Sequence, residues 1–309
     1  MICVLAGGVG AAKFLAGLQR VVDPADLTAS VNVADDFSLH GLHISPDLDT
    51  VTYTLADAVN PETGWGLRGE TWTAMDALER YGGITWFRLG DQDLATHMYR
   101  TQRLEEGAPL HQVTAEITGA WGIGIRILPA TDLPLRTMVT LADSGEEVEF
   151  QEYFVHQHHD VAVSAVRVAG NETAVAAPGV LEAIGTADVV VIAPSNPVLS
   201  IGPVLAVPGL RAAVEARRDR CVGISPIIGG QALKGPADRV LRELGHESSA
   251  AGVARIYRDL CSTLVIDDVD LDQVGEVEAA GVKPLVTGTV MSTTDRSAAL
   301  ARTILASMS

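Results

Sequence analysis

The stretch Ile2-Cys3-Val4-Leu5-Ala6-Gly7-Gly8-Val9-Gly10-Ala11-Ala12-Lys13 decides the fold class. A short run that is apolar at every position suits a strand covered on both faces, as in a parallel sheet. The glycines end that strand, and a helical pattern follows from about Ala11 to Val21. A glycine-rich turn into a helix exposes backbone N–H groups at the positive end of the helix dipole, which favours an anion. Gly7, Gly8 and Gly10 are therefore candidate phosphate-binding residues, and Lys13 adds a point charge. The turn is not a Walker A loop, and it is not a full dinucleotide fingerprint either. Reading Gly8-Val9-Gly10-Ala11-Ala12 as G-x-G-x-x puts Lys13 where the last glycine should fall. A tight strand-to-helix turn without a ligand is the plain alternative.

Outward from this stretch, apolar runs alternate with helical patterns. Strands are expected at 27–33, 84–89, 189–193, 221–224 and 264–266. Helices are expected near 50–59, 70–80, 92–104, 235–244, 252–260 and 296–307. Strands apolar on both faces and separated by helices predict an α/β fold, doubly wound and Rossmann-like, with a mostly parallel sheet. Three successive strand-like runs at 135–141, 147–152 and 161–168 break the rhythm and predict a small antiparallel insertion. The expected organisation is a first part of the core over 1–131, the insertion over 132–172 and a second part of the core over 173–309. No internal repeat or low-complexity tract appears.

The chain has 309 residues, 47% of them hydrophobic, and a formal net charge of −17. That is ample material for a core, so a disordered chain is excluded. The acidic balance argues against nucleic acid and against adsorption to an anionic membrane. Cys3, Cys221 and Cys261 stand far apart, which excludes a disulfide framework or a four-thiolate zinc site and suggests a reducing, cytoplasmic setting. The amino-terminal apolar run lacks the preceding basic residues of a signal peptide. The uncharged stretch 189–210 contains Pro194, Pro197, Pro203 and Pro208, so it is expected to be a strand and loop rather than a membrane helix.

Two further clusters carry possible chemistry. Asn32-Val33-Ala34-Asp35-Asp36 follows the second strand, and Ser45-Pro46-Asp47-Leu48-Asp49-Thr50 precedes a helix. Ligands in doubly wound folds bind beyond the carboxyl ends of strands. Carboxylates beside a phosphate repel it unless a cation bridges them, and Mg²⁺ does this with one or two carboxylates. With the glycine turn and Asp35 close by in such a fold, Asp47 and Asp49 are candidate metal ligands. Spacing does not separate Asp35 from Asp36 or Asp47 from Asp49, and helix capping is the plain alternative for the second pair. Ala193-Pro194-Ser195-Asn196-Pro197 and Ser225-Pro226-Ile227-Ile228-Gly229-Gly230 close later strands, and Ser195 and Asn196 are held stiffly between prolines for substrate contact. His156-Gln157-His158-His159 reads as a solvated turn rather than a metal site. The acids opening the helix at Gln92 fit capping, with His97 able to reach the cleft. Neither a Gly-x-Ser-x-Gly elbow nor a zinc-protease helix occurs.

Taken together these motifs resemble one family in the same order: Gly7-Gly8-Val9-Gly10 with Lys13, Asn32 with Asp35-Asp36, Ser45 to Thr50, Leu89-Gly90-Asp91-Gln92-Asp93, Leu128-Pro129-Ala130, Phe150-Gln151-Glu152, Ala193 to Pro197, and Ser225 to Gly230. The chain is similar to the 2-phospho-L-lactate transferase (CofD) family, whose actinobacterial members are phosphoenolpyruvate transferases of coenzyme F-420 biosynthesis. The resemblance implies two substrates, the deazaflavin alcohol FO and a guanosine diphospho-conjugate of enolpyruvate or lactate. FO attacks the distal phosphorus and GMP leaves. Val9, where many archaeal relatives carry Thr, favours the enolpyruvyl donor. The resemblance also implies Asn32, Ser195 and Asn196 as substrate contacts, Mg²⁺ as cofactor and a cytoplasmic homodimer. For this reaction Asp35 and Asp49 are the expected Mg²⁺ ligands, and the alternative role for Asp49 or Asp47 is to orient the attacking hydroxyl or accept its proton. A related family of nucleotide-sugar-binding regulators shares the glycine turn and paired aspartates, but there a glycine- and serine-rich run follows the pair, where this chain has Phe37-Ser38-Leu39-His40. A nicotinamide-dependent oxidoreductase is disfavoured by the missing last glycine.

Overall fold

The computed structural model describes residues 1–308. Its centre is strand β1 (Ile2–Ala6), all five residues of which are buried, followed by helix α1 (Gly8–Leu18). Alternate residues of β1 enter two different cores. Cys3 and Leu5 pack with Val190, Ile192 and Leu264 on one face, whereas Val4 and Ala6 pack with Phe14, Val191 and Val222 on the other. Continuous apolarity along the strand thus reflects two covered faces.

Strand β2 (Leu27–Val31) lies beside β1, followed by the short hairpin β3 (Phe37–Leu39) and β4 (Leu42–Ile44) and by helix α2 (Pro46–Leu55). Helices α3 (Thr73–Glu79), α4 (Asp93–Glu105) and α5 (Leu110–Ala120) come next, then strand β5 (Arg126–Pro129). Strands β6 (Arg136–Leu141), β7 (Glu147–Glu149) and β8 (Val163–Ala169) form a separate antiparallel sheet ordered β7-β6-β8. Strands β9 (Val189–Ile192) and β10 (Cys221–Ile224), the two-residue hairpin arms β11 (Ile227–Ile228) and β12 (Gln231–Ala232), and strands β13 (Thr263–Ile266) and β14 (Lys283–Val286) complete the set. The main sheet has seven strands in the order β14-β13-β10-β9-β1-β2-β5, and every neighbouring pair is parallel.

This order has one consequence for function. The chain leaves β1 toward β2 on one side, and the later half of the sheet grows from β9 on the other. The switch therefore lies between β1 and β9, and the crevice beyond their carboxyl ends is where this fold class binds ligands. Gly7 follows β1, Asn32 follows β2 and Pro194 follows β9.

The doubly wound plan with its antiparallel insertion is what the sequence predicts, but several local expectations change. Residues 84–89 are not a strand: Ile84 is exposed, and the segment runs as a loop ahead of α4. The helix expected from residue 50 begins at Pro46, since proline suits a first helical turn, and so Asp47 and Asp49 lie within that turn. All three cysteines are buried and free, as small apolar groups. Among the described residues no helix is long and apolar enough to cross a membrane.

Candidate active site

Gly7, the residue before α1, brings the corner together. A β-carbon there would lie 2.8 Å from Ser200 Cβ and 3.0 Å from Asp47 Oδ2. Gly8 holds φ +68, a conformation that disfavours other residues. At Gly10 a β-carbon would lie 2.3 Å from the Pro194 carbonyl oxygen, so glycine lets α1 press against the loop after β9. The Ser195 hydroxyl donates to the Gly7 carbonyl at 2.7 Å, tying that loop to the turn from the other side. Asn196 accepts from the amides of Val198 and Leu199 at 2.9 and 3.1 Å, which leaves its own amide group for other partners. Gly7, Gly8, Gly10, Ser195 and Asn196 are therefore one cluster at the switch point, with local structural tasks for each.

Asn32 organises the acids. Its Nδ2 donates to Asp35 Oδ2 at 2.9 Å and to Asp47 Oδ2 at 3.1 Å, and its Oδ1 accepts from the Ala34 amide. One amide thus joins the loop after β2 to the first turn of α2. Asp35 Oδ1 and Asp36 Oδ1 are buried without a hydrogen bond of ordinary length, although the Thr137 hydroxyl, itself without one, is near enough to Asp35 to pull its carboxyl down. Burial, and next the charge of Asp47, push the Asp35 carboxyl well above the usual carboxylate range. Burial also pushes Asp47 up to about 6, against the stabilising pull of the Asn32 amide and the Gly8 backbone amide. Two buried carboxylates without a cation at hand form a costly arrangement.

Asp49 has a different neighbourhood. Arg100, only 2% exposed, grips it with both terminal nitrogens, one at 3.1 Å and the other closer. Arg100 Nη1 also lies 3.3 Å from His97 Nδ1, and His97 Nε2 lies 3.2 Å from Asp93, which accepts from the Tyr53 hydroxyl. Burial raises the Asp49 carboxyl, with the Arg100 charge opposing it. Burial would raise Asp93 too, but the His97 and Tyr53 hydrogen bonds outweigh it and leave that carboxyl lowered. Asp49, Asp93 and His97 each offer a ligand atom within 4.8 Å of the others, so this group could hold a metal. It already contains its own cation, Arg100.

The expectation that pairs Asp35 with Asp49 therefore meets a different arrangement of hydrogen bonds. Asp47 shares Asn32 with Asp35, and Asp49 faces into the helical layer. The distinction lies in α4: Arg100 sits one helical turn from His97, and nothing in the local pattern of Asp47-Leu48-Asp49 announces its partner. Asp36 is likewise committed, accepting from the Ser45 hydroxyl at 2.7 Å and lying 3.1 Å from His43 Nε2.

Sequence reasoning missed the contribution of the antiparallel insertion. Gln151 Nε2 donates to the Asp35 carbonyl at 3.3 Å, and the Thr137 amide donates to the Ala34 carbonyl at 2.7 Å. Both brace the acid-bearing loop from behind. Gln151 stands in the Phe150-Gln151-Glu152 motif, but its burial and its hydrogen bond to the acid-bearing loop emerge only in the tertiary structure. His97 is 1% exposed and lies with Asp49 and Asp93. The histidine run is a turn only over Gln157–His159, where His158 and His159 hold positive φ; His156 ends the π-helical segment Glu152–His156, stacks on Trp86 and pairs with Glu152 at 2.6 Å.

The model of the family described as 2-phospho-L-lactate transferase CofD matches residues 2–292. The phosphoenolpyruvate transferase of Streptomyces griseus is 47% identical over 98% of this chain and 97% of its own length. That of Mycolicibacterium smegmatis is 41% identical over 97% and 96%, and that of Mycobacterium tuberculosis 44% over 93% of both chains. Among solved structures, a member of the upf0052 family from Bacillus halodurans superposes with a TM-score of 0.67 at 18% identity, covering 98% of each chain, a likeness of fold.

Proposed function

Because the chain belongs to the 2-phospho-L-lactate transferase CofD family, we propose that it moves the phosphoenolpyruvyl group from enolpyruvyl-diphospho-guanosine onto the deazaflavin alcohol FO. It is an enzyme, a phosphoenolpyruvate transferase of coenzyme F-420 biosynthesis, as its relatives at 41–47% identity are named. The terminal ribityl hydroxyl of FO forms a bond to the distal phosphorus. The bridging P–O bond to GMP breaks, GMP carries away that oxygen, and the hydroxyl proton is lost. The product is dehydro coenzyme F-420-0.

The observation that carries the reading is the Asn32 amide shared by Asp35 and Asp47 beside Gly7 and Gly8. Phosphoryl transfer asks mainly for positioning and charge neutralisation. The raised carboxyls of Asp35 and Asp47, joined by one amide, fit a hard divalent cation with oxygen ligands. Asp35 and Asp47 are the residues that would hold Mg²⁺, which when bound supplies neutralisation of charge on the donor phosphates. The Gly7–Gly10 turn and Lys13 orient the diphosphate. Ser195 fixes the turn, and Asn196 offers a free amide to the substrate. Asp49 anchors α2 through Arg100, so that Asp47 keeps its place. The enzyme works in the cytoplasm as a homodimer on this reading.

The test is a donor comparison. Purified protein with FO and Mg²⁺ should release GMP from the enolpyruvyl conjugate faster than from the lactyl conjugate, and chelation should stop it. Faster release from the lactyl conjugate reassigns the donor. No GMP from either removes the proposal.

A further inference from the structure

The chain holds three lysines, Lys13, Lys234 and Lys283, against a net charge of −17, and two of them meet at the glycine corner. Lys234 comes from the far half of the sheet, just after the β11–β12 hairpin. Its Nζ donates to the Thr63 carbonyl at 2.8 Å. A β-carbon on Gly64 would lie 3.1 Å from Lys234 Nζ and 3.2 Å from Val9 Cγ1. The Lys234 ammonium and the first turn of α1 therefore flank the same piece of backbone. Lys13 lies on α1 itself, half-buried, and the charge of Lys234 adds to burial in lowering its pKa. Among the described residues neither lysine has a carboxylate partner. Two ammonium groups repel each other, and in a chain rich in acids they have been left unneutralised. An anion of more than one charge placed between them removes that cost and strengthens both contacts.

We propose that Lys234 is a second substrate-contacting lysine, which exchanges the Thr63 carbonyl for the donor's diphosphate and grips it together with Lys13. This rests on the transferase reading above. It assigns to the later half of the chain a residue that binds the donor's diphosphate, and it couples the 60–66 loop, released from Lys234, to donor arrival.

The test uses GDP as the probe of the diphosphate, by calorimetric titration with Mg²⁺ present, together with steady-state kinetics for both substrates. Lys234→Met is expected to weaken GDP binding and raise the KM for the donor about tenfold or more, with the KM for FO within about twofold of wild type. Lys234→Arg should recover most of the loss. Lys234 is exposed, so folding is not at stake, and equal thermal midpoints for the variants verify this. GDP binding by Lys234→Met within twofold of wild type would overturn the proposal, as would equal rises in KM for donor and FO, which mark a tie for the loop only. A wild-type enzyme that releases no GMP sinks the transferase reading instead, and the two failures are told apart by that control.

Discussion

Asp47→Asn should make the metal-free protein more stable while nearly abolishing its activity. The substitution removes a charge that burial penalises but keeps an oxygen for the Asn32 and Gly8 amides. In the unfolded chain this carboxyl titrates at 3.8, and in the folded protein burial moves it up to about 6. Between those values the folded state binds more protons than the unfolded state, so stability falls as pH rises. The loss is complete above the folded value. At about 1.4 kcal/mol per pH unit, the ionised side chain costs up to roughly 3 kcal/mol. Urea denaturation in a chelator, followed by tryptophan fluorescence, should find Asp47→Asn more stable than wild type by up to that amount at pH 8, with the gap closing near pH 4. Saturating Mg²⁺ should then stabilise wild type and leave the variant unmoved. GMP release should fall by about 10²-fold or more. A variant less stable than wild type at pH 8 in chelator, or Mg²⁺ stabilising both alike, would refute the reasoning.

Further outcomes follow from the same geometry. Arg100→Met leaves Asp49 buried without its partner and should cost about 3–5 kcal/mol in urea denaturation, part of which Asp49→Leu added to it should restore. Gly10→Ala sets a β-carbon 2.3 Å from the Pro194 oxygen, a backbone atom, and should lower stability by about 1–3 kcal/mol in thermal melts. Asp35→Asn should reduce GMP release by about 10²-fold and flatten its Mg²⁺ dependence, with circular dichroism unchanged. Gln151→Ala loosens the loop that carries Asp35 and should lower the maximal rate with less effect on either KM.

The parts of this fold legible in the sequence are those where local pattern and tertiary role coincide. Strand β1 is apolar at every position because both faces are covered, and β9 and β10 read the same way. The glycine turn was legible because positive φ at Gly8 and the close approach at Gly10 leave few other residues possible. Residues 84–89 misled because Ile84, Trp86 and Phe87 look like a strand. Trp86 and Phe87 serve instead in aromatic contacts, Phe87 with Phe37 at 4.8 Å between ring centres and Trp86 with His156 at 5.0 Å. The acidic cluster was legible as a cluster and not as a pairing. Asp47 and Asp49 lie two apart on a helix and so point in different directions, and which of them meets Asp35 depends on Asn32 and Arg100, residues from separate elements. Gln151 stands among the motifs that carry the resemblance, but the support it and Thr137 give arises only when the insertion packs behind the loop.

Manganese binding in the presence of GDP, followed by electron paramagnetic resonance, tests the central claim most directly. The account predicts a single site that Asp35→Asn or Asp47→Asn weakens about tenfold or more and that Asp93→Asn leaves intact. Retained binding in the first two variants, together with its loss in Asp93→Asn or His97→Gln, would contradict it and place the ion in the Asp49–Asp93–His97 cluster.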